Sequence, residues 1–147
     1  MGIRKPKVYV VSIIMFFSVL ACGSVDPSAD EAKVLAFENL SGNWTFGTDG
    51  SISVDGQDVS LNFEGLALSF TDGGYGTTNA GQLFAASGTW EWGDSEARTV
   101  NLDDGKIITI STLTTTRFVF TFSVFADRPV VNSGNSIKGS YLISLNK

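Results

Sequence analysis

The sequence predicts an all-β body, an antiparallel sheet of about eight strands, and three observations support this. From Ser41 onward apolar and polar residues alternate with a period of two, in segments rich in Thr, Val, Ile and Phe. That is the pattern of strands with one face in a core and the other in water. The segments are separated by Asp49-Gly50, Asp55-Gly56, Asp72-Gly73-Gly74, Gly93-Asp94 and Asp103-Asp104-Gly105, which supply the positive-φ positions of tight hairpins and so set neighbouring strands antiparallel. No connection between them has the length and periodicity of the crossover helix that a parallel sheet requires.

Taken in order, the expected strands are 42–47, with Trp44 and Phe46 on one face; 57–64, with Val59, Leu61 and Phe63; and 66–71, with Leu66, Leu68 and Phe70. There follow 88–92 (Trp90, Trp92), 98–102 (Val100, Leu102), 106–111 (Ile108, Ile110), 116–125 (Phe118, Phe120, Phe122, Val124) and 138–145 (Tyr141, Ile143, Leu145). A segment at 51–54 is either a further strand or an extension of the second. Pro129 falls in the 126–137 loop, where its missing N–H disturbs no ladder. The inward sets are enough for one core, and a barrel and a β-sandwich satisfy the pattern equally well.

The N-terminus has a different character. Arg4, Lys5 and Lys7 precede an uncharged apolar run over residues 8–21, and acidic residues begin at Asp26. About 20 apolar residues are needed to span a bilayer, so this run is too short for a transmembrane helix and suits the hydrophobic region of a secretory signal. It ends at Val19-Leu20-Ala21-Cys22, and Cys22 is the only cysteine. These four residues resemble the lipobox of bacterial lipoproteins. The resemblance implies cleavage between Ala21 and Cys22, a diacylglycerol on the Cys22 thiol, and a fatty acyl group such as palmitate on the new amino terminus. It also implies a cell-envelope location, and Gly23, at a position where inner-membrane lipoproteins often carry aspartate, points to an outer membrane, with the leaflet left open. The chain thus divides into a signal peptide at 1–21, a lipidated cysteine, tether and short helix at 22–40, and a β domain at 41–147. The short helix rests on Ser28 and Glu31, spaced as a capping box, and on Val34, Leu35 and Phe37, which give it a weak apolar side.

Composition removes much chemistry. The chain has no histidine, which excludes Ser-His and Cys-His catalysis and the usual zinc sites. Beyond residue 21 it carries seven Lys and Arg against fifteen Asp and Glu, a net charge of −8. Scattered cations in an acidic body argue against nucleic acid as a partner. Asp49, Asp55, Asp72, Asp94, Asp103 and Asp104 lie in the Gly-containing turns, where turn chemistry explains them. No Gly-x-Ser-x-Gly elbow and no Asp-x-Asp-x-Asp-Gly calcium loop occurs. A non-catalytic protein without metal or cofactor is therefore expected.

At the first strand, Leu40-Ser41-Gly42-Asn43-Trp44 follows directly on the short helix. Gly42-x-Trp44 resembles the signature that opens lipocalin and lipocalin-like barrels, and the hairpin-linked strands beyond it agree in pattern. The resemblance favours a barrel over a sandwich. It also implies that Trp44 packs across the closed end beneath a cation from a late strand, for which Arg117 is the candidate. Trp90 and Trp92 share one face. They pack in the core or, turned outward, form an aromatic platform of the kind that binds sugars.

Two functions are open at this point. One is a membrane-anchored carrier whose barrel mouth takes a small apolar or amphipathic ligand. The other is an envelope interaction module that binds glycan or protein through Trp90 and Trp92. Both rest on lipidation at Cys22. Replacing Cys22 with Ala is expected to abolish acylation and move the protein out of the membrane fraction, since stable anchoring needs more than one chain. Intact mass and fractionation check this: a Cys22→Ala variant processed and retained like the parent would contradict it.

Overall fold

In a computed structural model, residues 2, 28–125 and 138–147 are described, so the expected signal, Cys22, the tether before Ser28, and Pro129 lie outside the described residues. The ordered body opens with helix α1 (Ala29–Leu40). Its capping box is complete: the Glu31 amide donates to Ser28 Oγ at 3.3 Å and the Ser28 amide donates to Glu31 Oε2 at 2.9 Å.

The strands are β1 (Gly42–Thr45), β2 (Ser51–Val54), β3 (Gln57–Asp58), β4 (Ala67–Thr71), β5 (Gly74–Thr78), β6 (Ser87–Trp92), β7 (Thr99–Leu102), β8 (Ile107–Leu113), β9 (Arg117–Val124) and β10 (Gly139–Asn146). All pairings are antiparallel. The sheet closes where Thr45 of β1 pairs with Asn146 of β10. β1 and β2 both run against β10, while β4 and β3 run against β1 and β2 respectively. Each couple is therefore one stave broken in the middle, and the barrel has eight staves, each beside its neighbour in sequence. This is a closed, antiparallel, lipocalin-like barrel, and closure decides against the sandwich.

Turn chemistry sets the register. Asp55 (φ 49°) and Gly56 (φ 83°) are both left-handed, as a two-residue hairpin between β2 and β3 requires. In β8 the pairing with β9 slips between Ile110 and Thr112, and the bulged Ser111 hydroxyl donates to the Val119 carbonyl at 3.1 Å.

The interior is aromatic. Phe118 lies 5.4 Å from Trp44, 5.9 Å from Phe70 and 4.5 Å from Phe120; Phe122 follows at 6.3 Å from Phe120, and Tyr141 at 5.1 Å from Phe122. These residues are buried, as are Ile52, Val100, Ile108, Ile143 and Leu145 between them. Leu40 and Trp44 close one end of the barrel. At the other, the connection after β5 turns Ala80, Leu83 and Phe84 inward, with the Phe84 ring 4.9 Å from that of Phe122.

Two expectations about strands need correction. Residues 57–64 do not form one strand: the Asp58 carboxylate accepts from the Ser60 amide at 2.8 Å and hydroxyl at 2.6 Å, which turns the chain into a 3₁₀ turn over Ser60–Phe63. Ser60 Oγ then takes the Ile52 amide at 2.9 Å in place of a strand partner. Leu61, expected inside, is 93% exposed. Conversely, β5 forms where the alternation predicts no strand, since Gly74 and Gly76 weaken a strand signal. A Cβ on Gly76 would stand 3.0 Å from Ser69 Oγ, and one on Gly88 would stand 2.6 Å from the ring of Tyr75, its register partner. Gly88 lets Tyr75 lie across the sheet.

Removing one ring should cost what a large buried aromatic costs. Phe120→Ala is expected to destabilise by about 3–5 kcal/mol, read as a lowered urea midpoint; a change below about 1 kcal/mol would contradict an interior packed by that ring. A second expectation concerns alkali. Burial first, then the charges of Asp104 and Asp103 and the Asp103 carboxylate beside the hydroxyl, push the pKa of Tyr75 up to about 12. Burial and Asp55 raise that of Tyr141. Because the folded values lie above the unfolded one, the stability they contribute is whole below about pH 10 and is lost as pH climbs through the folded values. Absorbance at 295 nm should show Tyr75 and Tyr141 still protonated at pH 10, with ionisation and unfolding together above it.

Candidate functional site

Trp90 and Trp92 end β6, with Thr89 and Glu91 on the opposite face. The Trp90 indole is inside: it is 8% exposed and its Nε1–H donates to the carbonyls of Thr71 and Gly74 at 2.9 and 3.0 Å. It meets the Phe70 ring edge-on at 5.9 Å and is stacked by Phe37 of α1 at 6.0 Å. Trp92, two residues on, stands edge-on to Trp90 at 5.0 Å and is only half-buried. One ring of the pair is thus a core residue and the other a wall.

That wall borders an open groove of about 610 Å³ between α1 and the end of β6. Val34 and Phe37 form its helical side, Trp90 and Trp92 its barrel side, and Gly73 its floor at the β4–β5 turn. Val34 is 61% exposed and Leu35, beside it, 60%. Charged groups rim the apolar walls: Lys33, Glu38, Asp72 and Glu91.

The rim carboxylates differ from the acids that cap turns. Asp94 Oδ1 accepts from the amides of Glu96 and Arg98 and its Oδ2 from the Thr99 hydroxyl, which lowers its pKa. Asp55, Asp58, Asp103 and Asp104 likewise accept from nearby or cross-strand amides, and Asp104 also pairs with Lys106. Those acids serve the fold. No side-chain hydrogen bond or ion pair engages Glu38, Asp72, Glu91 or Lys33 among the described residues.

What holds the helix against the barrel is the closed end beside the groove. The Trp44 indole Nε1–H donates to the Leu40 carbonyl at 2.8 Å, and the Ser41 amide to the Phe37 carbonyl at 2.8 Å. Gly42 is left-handed, φ 108°, where the chain swings from helix to strand. The cation over the Trp44 ring is Lys147, at 4.4 Å, and not Arg117. Its Nζ also donates to the Asn39 carbonyl at 2.6 Å, and burial lowers its pKa. Arg117 is exposed because Phe118, Phe120 and Phe122 face inward, which turns Arg117 outward by parity. Lys147 shares the parity of the buried Leu145, Ile143 and Tyr141.

Among the described residues no three Asp, Glu, Cys or His side chains are grouped to hold a metal ion, and no helix is long and apolar enough to cross a membrane. The class of fold is therefore the lipocalin-like barrel, with an aromatic groove on its flank. Comparison of the chain with protein-family models, curated proteins and solved structures gives no match. Of the groove, Trp90 and Trp92 were readable from the sequence as a pair; Phe37 and Val34 were readable only as one side of a weak helix. Nothing local ties α1 to β6, so their meeting had no sequence signal.

Trp92→Ala should barely alter stability, because the ring is half-exposed, whereas Trp90→Ala should cost about 3–5 kcal/mol. Paired urea melts measure this; equal losses would contradict the division between wall and core.

Proposed function

We propose that the protein is a membrane-anchored, non-catalytic lipoprotein of the cell envelope that binds a small amphipathic ligand in the groove between α1 and β6. The anchor is supported by the lipobox-like Val19-Leu20-Ala21-Cys22 at the end of an uncharged run. The observation behind the binding site is the half-exposed Trp92 beside Phe37 and Val34, facing open space. An apolar concavity bordered by a few polar groups is the usual form of a small-molecule site. The barrel axis, where a carrier of this fold would place its cargo, is lined by Phe70, Phe118, Phe120 and Phe122 in mutual contact. An eight-stranded barrel is just wide enough for side chains to fill it or for one ligand to enter. Here the rings take up that width.

Calorimetry of residues 23–147 with an uncharged alkyl glycoside below its micellar concentration tests the reading. Binding is expected at one site, weakened at least about tenfold by Trp92→Ala, a loss of roughly 1.4 kcal/mol. Binding unaffected by Trp92→Ala, or none at all, would overturn it.

A further inference from the structure

We infer that the groove selects amphipathic cations, molecules with an apolar body and a single ammonium-type head; this rests on the groove being the binding site. Glu38 on α1, Asp72 in the β4–β5 turn and Glu91 on β6 come from three separate elements to one rim, against the single cation Lys33. None of the three has a hydrogen-bond or ion-pair partner among the described residues for its carboxylate, so their charge is left uncompensated in the solvent around the groove. Asp55, Asp58, Asp94, Asp103 and Asp104, by contrast, spend lone pairs on backbone amides.

The walls favour the same head. An ammonium seated over an aromatic face is held by the ring quadrupole, and Trp92 offers an indole that burial only half covers. The apolar part of the ligand would lie along Val34 and Phe37, displacing water from side chains that the fold leaves open. An anionic amphiphile would have the same apolar contacts but would set its head among three like charges. A body of net charge −8 beyond residue 21 reinforces the preference at long range, where it steers cations toward the surface.

The experiment is photolabelling of the full acylated chain in phosphatidylcholine nanodiscs, with three diazirine-bearing alkyl probes of equal length that end in trimethylammonium, sulfonate or glucose. Labelled peptides are mapped by mass spectrometry, and labelling of the nanodisc scaffold corrects for partition into lipid. The trimethylammonium probe is expected to label the segments containing Val34 and Trp92 roughly fivefold more than the glucoside, as modest surface charge interactions allow. The sulfonate probe should fall below the glucoside. Raising the salt concentration, or replacing Glu38, Asp72 and Glu91 together with Gln, Asn and Gln, should bring the three probes level. Because these acids make no structural hydrogen bonds among the described residues, circular dichroism of the triple variant should match the parent. Equal labelling by all three heads in the parent, or a preference for sulfonate, would overturn the cation inference and leave the groove standing. Failure of every probe to label either segment would overturn the groove itself.

Discussion

The interior of an eight-stranded barrel has almost no width to spare, and in this chain aromatic rings occupy it. Trp44, Phe70, Phe118, Phe120, Phe122 and Tyr141 touch in sequence from one end to the other. The choice is set by strand parity: β9 places three phenylalanines on one face, and no neighbouring stave offers small residues opposite to leave a space. Gly88, the register partner of Tyr75 on β6, admits the Tyr75 ring across the sheet. Packing thereby takes the axis among the described residues, and the groove proposed for binding lies on the flank.

The surface site follows from how the barrel is stoppered. Leu40 and Trp44 close one end, and the Trp44 indole holds the Leu40 carbonyl, which fixes where α1 leaves the sheet. Lys147 ties the last residue of the chain to the helix through Asn39 while lying over the same indole. With α1 fixed at its C-terminal end, Phe37 comes to stack on Trp90, and Val34, one turn earlier, has no barrel wall to meet. The groove is the wedge between a helix held at one end and a strand that stops at Trp92. The capping box at Ser28 and Glu31 stiffens the free end of that helix without attaching it.

Much of this architecture could be read from the residues because the signals were local. Asp55-Gly56, Asp72-Gly73 and Asp104-Gly105 mark hairpins, and alternation in β4, β7, β9 and β10 picks out the inward set. Asp49-Gly50 marks none, since it joins β1 to β2, which both run against β10 and do not pair with each other. The failures were also physical. In residues 57–64 alternation was overruled by an Asp58 side chain that bends the backbone, an effect the period of hydrophobicity does not register. In β5 Gly74 and Gly76 weaken the strand signal although both pair with β4 and β6. The cation over Trp44 was assigned to Arg117 by family resemblance, while parity, already visible in Phe118, Phe120 and Phe122, sends Arg117 outward and Lys147 inward. The groove itself depends on residues some fifty positions apart in sequence, and neither partner carries a motif.

The central claim, that rings fill the axis and leave binding to the flank, is tested most directly by two-dimensional NMR of the indole Nε1–H signals during addition of an alkyl amphiphile. Trp92 should shift most and Trp90 less, while Trp44, sealed at the end of the barrel, should stay in place. Movement of Trp44 and of the inward phenylalanine rings, with Trp92 unmoved, would place the ligand inside the barrel and contradict the account.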